Sequence, residues 1–284
     1  MKRFFIFTNK SKDPEMKETA RIRSYLEAHG AICEVAEMER AVDASGNREY
    51  LCTVPEESEC CIVLGGDGTM LQASRNVLEK NIPLIGVNLG TLGYMTEVEL
   101  SEAESAMDKL LNDEYEIEDR MMLQGVLCQG EEKGVTNYAL NDIVIARCSS
   151  IQVFSFNVYV NDMPLTSYQA DGIILSSPTG STAYNMSAGG PIVDPKAQIL
   201  LLTPICSHNA NSRTILLSEK DKVTIEIGEG RGGCIQKLEA SFDGGKRIIM
   251  ESGDRIEISR AEPVTRILKL SSESFLNILR KKLV

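Results

Sequence analysis

The run Cys61-Ile62-Val63-Leu64-Gly65-Gly66-Asp67-Gly68-Thr69 carries the densest chemistry in the chain. An apolar stretch ends in glycines, one carboxylate and one hydroxyl, and helix-like sequence follows from Met70 to about Leu78. A strand that ends in a glycine-rich turn and opens a helix is a phosphate-binding arrangement. Glycine admits a phosphate close to the backbone, and the helix start offers N–H groups and the positive end of its dipole. A carboxylate beside a polyphosphate is repelled unless it binds a metal, takes a proton or holds a hydroxyl, and each is a task in phosphoryl transfer. Two other phosphate motifs are excluded by spacing. No Gly-x-x-x-x-Gly-Lys-Ser/Thr string occurs, and a Gly-x-Gly-x-x-Gly count from Gly66 meets Leu71 where the last glycine belongs. The simpler reading of these residues is a strand-to-helix turn capped by Asp or Thr.

A second group lies further on, from Asp171-Gly172 through Ser176-Ser177-Pro178-Thr179-Gly180-Ser181-Thr182-Ala183-Tyr184. It reads as a strand entering a loop, then a short helix starting near Ser181. The hydroxyls of Thr179, Ser181 and Thr182 with helix N–H groups suit an anion or a nucleobase edge, and Tyr184 suits a ring or ribose. A helix cap is the competing reading. Asn141-Asp142 interrupts an apolar stretch between Leu140 and Ile143. Buried polar groups there are costly without partners, so they sit at a bulge, line a ligand pocket or lie on a solvated edge strand. A carboxylate can accept both hydroxyls of a ribose, and Asn can bond a base edge. Asp243-Gly244-Gly245 reads as a hairpin turn.

Two kinds of element must position these residues. Up to about residue 119 strands alternate with helices. Strands are expected at Phe4–Thr8, Ala31–Val35, Cys60–Leu64 and Pro83–Val87, with helices at Pro14–His29, after Thr69 and at Glu102–Leu111. This rhythm implies a parallel sheet with ligand at the carboxyl ends of its strands, where Gly65–Thr69 and Asn88–Gly93 both fall. From 120 to 261 the pattern is mostly β and sandwich-like, with strands at Met122–Gln129, Asn137–Ala146, Gln152–Val160, Ile173–Ser176, Ile199–Thr203, Lys222–Ile227, Ile235–Phe242 and Arg247–Glu251. The tail, 262–284, ends in an amphipathic helix over Glu273–Lys282, with apolar spacing Phe275, Leu276, Leu279, Leu283.

The 284 residues allow one or two domains. A net charge of −11 argues against nucleic acid as a main partner. No run approaches the ~18 apolar residues of a membrane span. The eight cysteines show no Cys-x-x-Cys spacing and read as reduced and mostly buried, hence a cytoplasmic protein. Of the two histidines, His29 reads as a helix C-cap.

In order and spacing, Gly65-Gly66-Asp67-Gly68-Thr69, Asn88–Gly93, Asn141-Asp142, Asp171-Gly172 through Gly189-Gly190, and Pro204-Ile205-Cys206-Ser207-His208 resemble the NAD kinase family over roughly residues 60–250. The glycine pentad is shared with diacylglycerol and sphingosine kinases, whereas the Thr-Gly-Ser-Thr-Ala-Tyr signature is highly specific. The resemblance implies an α/β N-terminal domain, a β-sandwich C-terminal domain and a tail that returns to the first. It implies transfer of the ATP γ-phosphoryl to the adenosine-ribose 2′-hydroxyl of NAD, with a divalent metal, Mg or Mn, whose ligands stay unassigned. It further implies a homodimer or homotetramer with the site near a subunit interface. Asp67 is then the catalytic carboxylate; Gly65, Gly66, Gly68, Thr69 and Asn88 serve ATP; Asn141, Asp142, Asp171, Thr179, Thr182, Ala183, Tyr184 and Ser187 serve NAD. A lipid kinase of the same superfamily and a catalytically silent NAD-binding regulator are the alternatives. This chain departs from the family pattern at Gln169-Ala170, where many bacterial relatives carry a basic residue, at Gly245 in place of Gln, and at Ser207 in place of Pro. The first departure predicts some phosphorylation of NADH.

Overall fold

In a computed structural model of the chain, the described residues are 1–36, 39–42, 48–90, 93–130, 132–148, 153–208, 212–271 and 274–282. They form two compact units, one of Met1–Ala41, Tyr50–Arg120 and Pro263–Val284, the other of Val42–Glu49 and Met121–Glu262.

The first unit is built on a parallel sheet. Its strands lie in the order Ile32–Val35, Arg3–Thr8, Cys60–Gly65, Leu84–Asn88, and Val98–Glu99 pairs in parallel with the last. Ile267 in the strand Arg255–Lys269 also pairs with Leu84. Cys60–Gly65 is buried along its whole length, as a parallel strand covered on both faces must be. The helices Lys17–Ala28 and Ala103–Leu111 bury Ile22, Leu26, Met107 and Leu110 in one core with Phe4, Ile6, Ile62 and Ile85. The first helix begins three residues later than Pro14. Met16 takes a left-handed φ of 55°, and the buried Asp13 carboxylate accepts the Thr19 N–H at 2.9 Å and its hydroxyl at 2.7 Å. At the far end His29 is the C-cap, with its Nδ1 2.8 Å from the Tyr25 carbonyl. The helix after the glycine turn spans Asp67–Val77 and so starts earlier than Met70, with Gly66 as its N-cap.

The second unit is a sandwich of antiparallel sheets. One holds, in order, Ile215–Ser218, Ile199–Ile205, Gly172–Ser176, Asp142–Arg147, Lys237–Phe242 and Lys246–Glu251. The facing one holds Met163–Ala170, Phe154–Val160, Val223–Ile227 and the early part of Arg255–Lys269, with Glu116–Gln129 and its partner Asn137–Ala139. Side chains from both, including Leu123, Ile143, Ile145, Phe156, Ile173, Ile225 and Phe242, fill the core between them.

Several sequence expectations are corrected here. Asn137–Ala146 is two strands, because the chain leaves one sheet after Ala139 and joins the other at Asp142. Met163–Ala170 was not expected as a strand; Pro164 and its mostly exposed residues mark a sheet edge, where proline is tolerated. Arg255–Lys269, also not expected, is interrupted in sequence by Pro263. The segment at 179–187 is a single 3₁₀ turn, Thr179–Thr182, and a four-residue helix, Tyr184–Ser187, rather than one helix from Ser181. All eight cysteines are free, but only Cys33, Cys60 and Cys61 are buried, while Cys148, Cys206 and Cys234 are exposed. Along the tail helix Phe275–Lys282, Phe275, Ile278 and Leu279 are half-buried while Leu276 is 67% exposed; Leu283 lies outside the described residues.

Candidate functional site

The first unit brings three segments together by topology alone. Asn9–Asp13, Gly65–Thr69 and Asn88–Gly90 follow the carboxyl ends of three neighbouring parallel strands. They are tied to one another. The Asn9 amide N–H donates to the Leu64 carbonyl at 2.9 Å, the Asn9 Nδ2 donates to the Thr69 hydroxyl at 3.2 Å, and the Leu89 N–H donates to the Gly65 carbonyl at 2.9 Å. Thr69 is buried, and its hydroxyl also accepts the Gly66 N–H at 3.4 Å, so it shapes the turn from inside. Asn88 is buried and braces its own turn: its Nδ2 donates to the Gly90 carbonyl at 2.7 Å and its Oδ1 accepts the Gly90 N–H at 3.2 Å. Gly68 faces open space, leaving the helix start accessible.

Asp67, the first residue of its helix, is held by backbone. Its Oδ2 accepts the Tyr94 N–H at 2.8 Å and its Oδ1 accepts the Met95 N–H at 3.0 Å. The approach demands glycine at 93, since a Cβ there would overlap the carboxylate. Each oxygen keeps a second lone-pair site for a substrate hydroxyl or a cation. The segment that holds Asp67 is itself covered by the tail. The Tyr94 ring lies 6.5 Å from Phe275, and the Lys282 ammonium sits 4.5 Å above it, within cation–π range. The phenol of Tyr94 is pushed up by burial and by the Asp67 charge.

The second unit assembles another cluster where the chain crosses between sheets. The crossing at Leu140–Asp142 exposes three backbone N–H groups, and the Asp243 carboxylate takes all of them: Leu140 at 2.8 Å, Asn141 at 2.8 Å and Asp142 at 3.2 Å. Asp243 itself adopts a φ of 49° in the turn between Lys237–Phe242 and Lys246–Glu251. The hairpin was legible in sequence, but this use of its side chain was not, because the partners are about a hundred residues apart. The loop after Gly172–Ser176 is fastened to the same corner. The Ser177 N–H donates to the Asn141 carbonyl at 2.8 Å, and the Ser177 hydroxyl donates to the Leu140 carbonyl at 2.5 Å. Gly180 packs so closely on the Asn141 carbonyl that a Cβ would collide with it.

Two polar atoms of this corner, Asn141 Oδ1 and Thr179 Oγ1, are buried with no hydrogen-bond partner. Leaving such a group unmatched costs ~1–3 kcal/mol, so both are poised for a ligand that supplies the missing partner. The Asp142 carboxyl is pushed up to about 7, first by burial and then by the nearby charge of Asp243. Other hydroxyls serve the scaffold instead. Ser181 bonds the Val193 backbone, and the buried Asn185 is shared by Thr203, Ser181 and Pro191. Thr182 and Ala183 are half-buried beside this corner's loop, while Tyr184 is 44% exposed and Ser187 exposed.

Asp171 is not brought to the corner. Strand pairing sets Asp142 opposite Ser176 and Ala146 opposite Gly172, so Asp171 lies at the other end, 3.6 Å from the Arg147 guanidinium. Gln169 is exposed, and its carbonyl accepts the His208 N–H at 2.8 Å, which anchors the Ser207-His208 segment. Among the described residues no group of three or more His, Cys, Asp or Glu side chains is arranged to hold a metal, and no helix is long and apolar enough to cross a membrane.

Residues 15–115 match the family model of the ATP-NAD kinase N-terminal domain, and residues 140–270 match that of the ATP-NAD kinase C-terminal domain. The chain is 44% identical to an NAD kinase of Lachnospira eligens and 46% identical to one of Agathobacter rectalis; all of this chain is covered, with 100% and 99% of those proteins. In three dimensions it is similar to a yeast NADH kinase complexed with NADH, at a TM-score of 0.81 and 23% identity over 99% of this chain and 86% of that one. It is also similar to an NAD kinase from Archaeoglobus fulgidus in complex with ATP, at 0.76 and 21% identity over 98% of each chain.

Proposed function

The chain belongs to the NAD kinase family, and from that we infer how its residues divide the transfer of the ATP γ-phosphoryl to the adenosine-ribose 2′-hydroxyl of NAD. The reading rests chiefly on similarity to NAD kinases over the full chain, with the family's glycine pentad and its Thr-Gly-Ser-Thr-Ala-Tyr signature both intact. Gly65, Gly66, Gly68, Thr69 and Asn88 form and brace the turn that receives the donor. Asp67 accepts the 2′-hydroxyl proton as the new P–O bond forms and the bond from the γ-phosphorus to the β–γ bridging oxygen breaks, releasing ADP, and it holds the attacking oxygen in line. Asn141, Asp142, Thr179, Thr182, Ala183, Tyr184 and Ser187 hold NAD. The unpartnered Asn141 Oδ1 and Thr179 Oγ1 support this assignment, since an adenine amino group or a ribose hydroxyl can satisfy each.

The described donor set does not form a resident cage for Mg or Mn, because Asp67 is a single carboxylate already bonded to two amides. A divalent ion bound with the donor would be met by the Asp67 carboxylate, whose oxygens each keep a lone pair, and would offset phosphate charge. Functional borders at 119/120 and 261/262, a cytoplasmic location and a homodimer or homotetramer complete the reading. The oligomer rests on the family resemblance alone, and Asp171, beside Arg147 and away from the Asn141 corner, is the residue it would bring to a second copy's site. Gln169-Ala170 supports some use of NADH.

Incubation with magnesium-ATP and NAD, followed by a dehydrogenase-coupled assay for NADP, should show turnover. NAD binding without NADP formation would favour the silent regulator. Phosphorylation of diacylglycerol or sphingosine instead of NAD would favour the lipid kinase.

A further inference from the structure

The turn Asn9–Asp13 has no part in the sequence motifs, yet it is built against the glycine-rich turn. The Lys12 and Asp13 N–H groups fold back on the Asn9 carbonyl at 2.9 and 3.1 Å, and the Ser11 hydroxyl and N–H bond the Asn9 Oδ1 at 2.6 and 3.0 Å. Asp13 in turn is fixed in the cap of the helix Lys17–Ala28. Of the two lysines on this small scaffold, Lys10 and Lys12, it is Lys12 that is set against the glycine turns. A Cβ built on Gly66 or on Gly90 would stand 3.2 Å from the Lys12 Nζ, so the ammonium lies against both glycine-bearing turns at once. Among the described residues Lys12 has no carboxylate partner, and it is exposed to solvent. It lines a cavity of about 620 Å³ with Glu18, Asn88, Leu89, Gly90, Glu99 and Ser101, a volume in the range of small-molecule sites.

From this geometry we propose that Lys12 is the cation that binds the phosphate chain of the phosphoryl donor, in the cavity beside Gly66 and Gly90. Resting on the kinase reading above, the inference supplies what the glycine turn lacks. The segment Gly65–Thr69 carries one negative charge and no positive one. A polyphosphate there needs a counter-charge besides amide dipoles and the metal it brings, and a lysine acts as a point charge that follows the phosphates. Of the two acids on the lining, Glu18 is paired with Arg21 at 3.3 Å, and Glu99 is the register partner of Asn88 on the neighbouring strand, so among the described residues Lys12 is the one cation that the lining offers to phosphate. Lys12 is a binding residue; the proton transfer remains with Asp67.

Lys12→Met and Lys12→Arg separate this role from a structural one. In Lys12→Met the KM for ATP should rise about ten-fold or more, the KM for NAD should stay within about three-fold, and the melting temperature should be unchanged. Lys12→Arg, which keeps the charge, should recover most of the loss. Inorganic tripolyphosphate is the second probe. Calorimetry without NAD should show it binding wild type and losing affinity in Lys12→Met in proportion to ATP, because the phosphate chain is the shared element. A loss confined to ATP would place Lys12 at the nucleoside and overturn the inference. An unchanged KM for ATP, or equal changes for ATP and NAD, would also overturn it. Absence of NADP formation by wild type would instead count against the kinase reading itself, and tripolyphosphate binding would still report on Lys12.

Discussion

Asp67 in the first unit opens a helix just past the carboxyl end of a strand, Asp142 in the second opens a strand, and their surroundings differ in kind. Asp67 is partly open, and each of its oxygens is met by a backbone N–H from Tyr94 or Met95. Asp142 is buried beside another carboxylate, Asp243, and burial has pushed its acid form up to about 7. The difference follows from the two architectures. Parallel strands end together in loops whose amides converge on one edge, so a carboxylate there finds donors without leaving water. A sandwich has its polar crossings inside, so groups at Leu140–Asp142 must be satisfied by the protein, and the Asp243 carboxylate accepts three of their amides. The first environment suits a group that must act on a reacting atom. The second suits groups that wait for a ligand to complete their bonding.

The largest effect that could break this comparison is at Asp67. Asp67→Asn keeps the shape and removes the negative charge that can take a proton. Turnover should fall by roughly 10²–10⁴, the usual contribution of a general base, with NAD affinity within a few-fold of wild type. Coupled turnover assays and calorimetry measure the two quantities, and turnover within about ten-fold of wild type would falsify a proton-accepting role for Asp67.

A smaller effect tests the buried carboxylate. Its folded value of about 7 lies above the ordinary 3.8. Between those values the folded chain keeps a proton that the unfolded chain has released, so this group's contribution to stability declines as pH rises through that window and is lost above about 7. Asp142→Asn lacks the titration, so its melting temperature should gain on wild type from pH 5 to pH 8. Ribose hydroxyls donate best to the ionised form, so wild-type NAD affinity should tighten over pH 6–8. In the variant it should be flat and ~10–100-fold weaker at pH 8. Parallel pH profiles in variant and wild type would show that Asp142 is not the titrating group.

The smallest effect lies in the tail. Phe275→Ala removes the ring beside Tyr94, whose N–H holds Asp67. Turnover should drop a few-fold with little change in either KM, and the melting temperature should fall by about 2–4 °C for a chain of this size if ~1 kcal/mol of packing is lost. A lower melting temperature with unchanged turnover would detach the tail from the positioning of Asp67.

Local sequence was enough for the α/β and β-sandwich classes, because helical spacing and strand alternation are properties of neighbouring residues. It was also enough to single out Asp67, Asn141, Asp142 and Thr179 as candidates, where glycine, carboxylate and hydroxyl break apolar runs. What it did not contain is distance between remote residues. The stretch Asn137–Ala146 looked like one strand because nothing local marks a change of sheet. Asp243 looked like turn chemistry because its amide partners lie about a hundred positions earlier. Asp171 looked continuous with the Thr179 loop, yet an extended strand carries its side chain to the opposite end, beside Arg147. Lys12 is an ordinary surface lysine in one dimension and becomes a cation over two glycine turns only when parallel strands end side by side. The sequence by itself determined the residue types and local elements from which a phosphate turn and a nucleotide corner can be made. Tertiary structure alone decided which charges meet, since hydrogen bonds reach only a few ångströms and Coulomb forces fade within a Debye length of ~8–10 Å, and only the fold sets those separations.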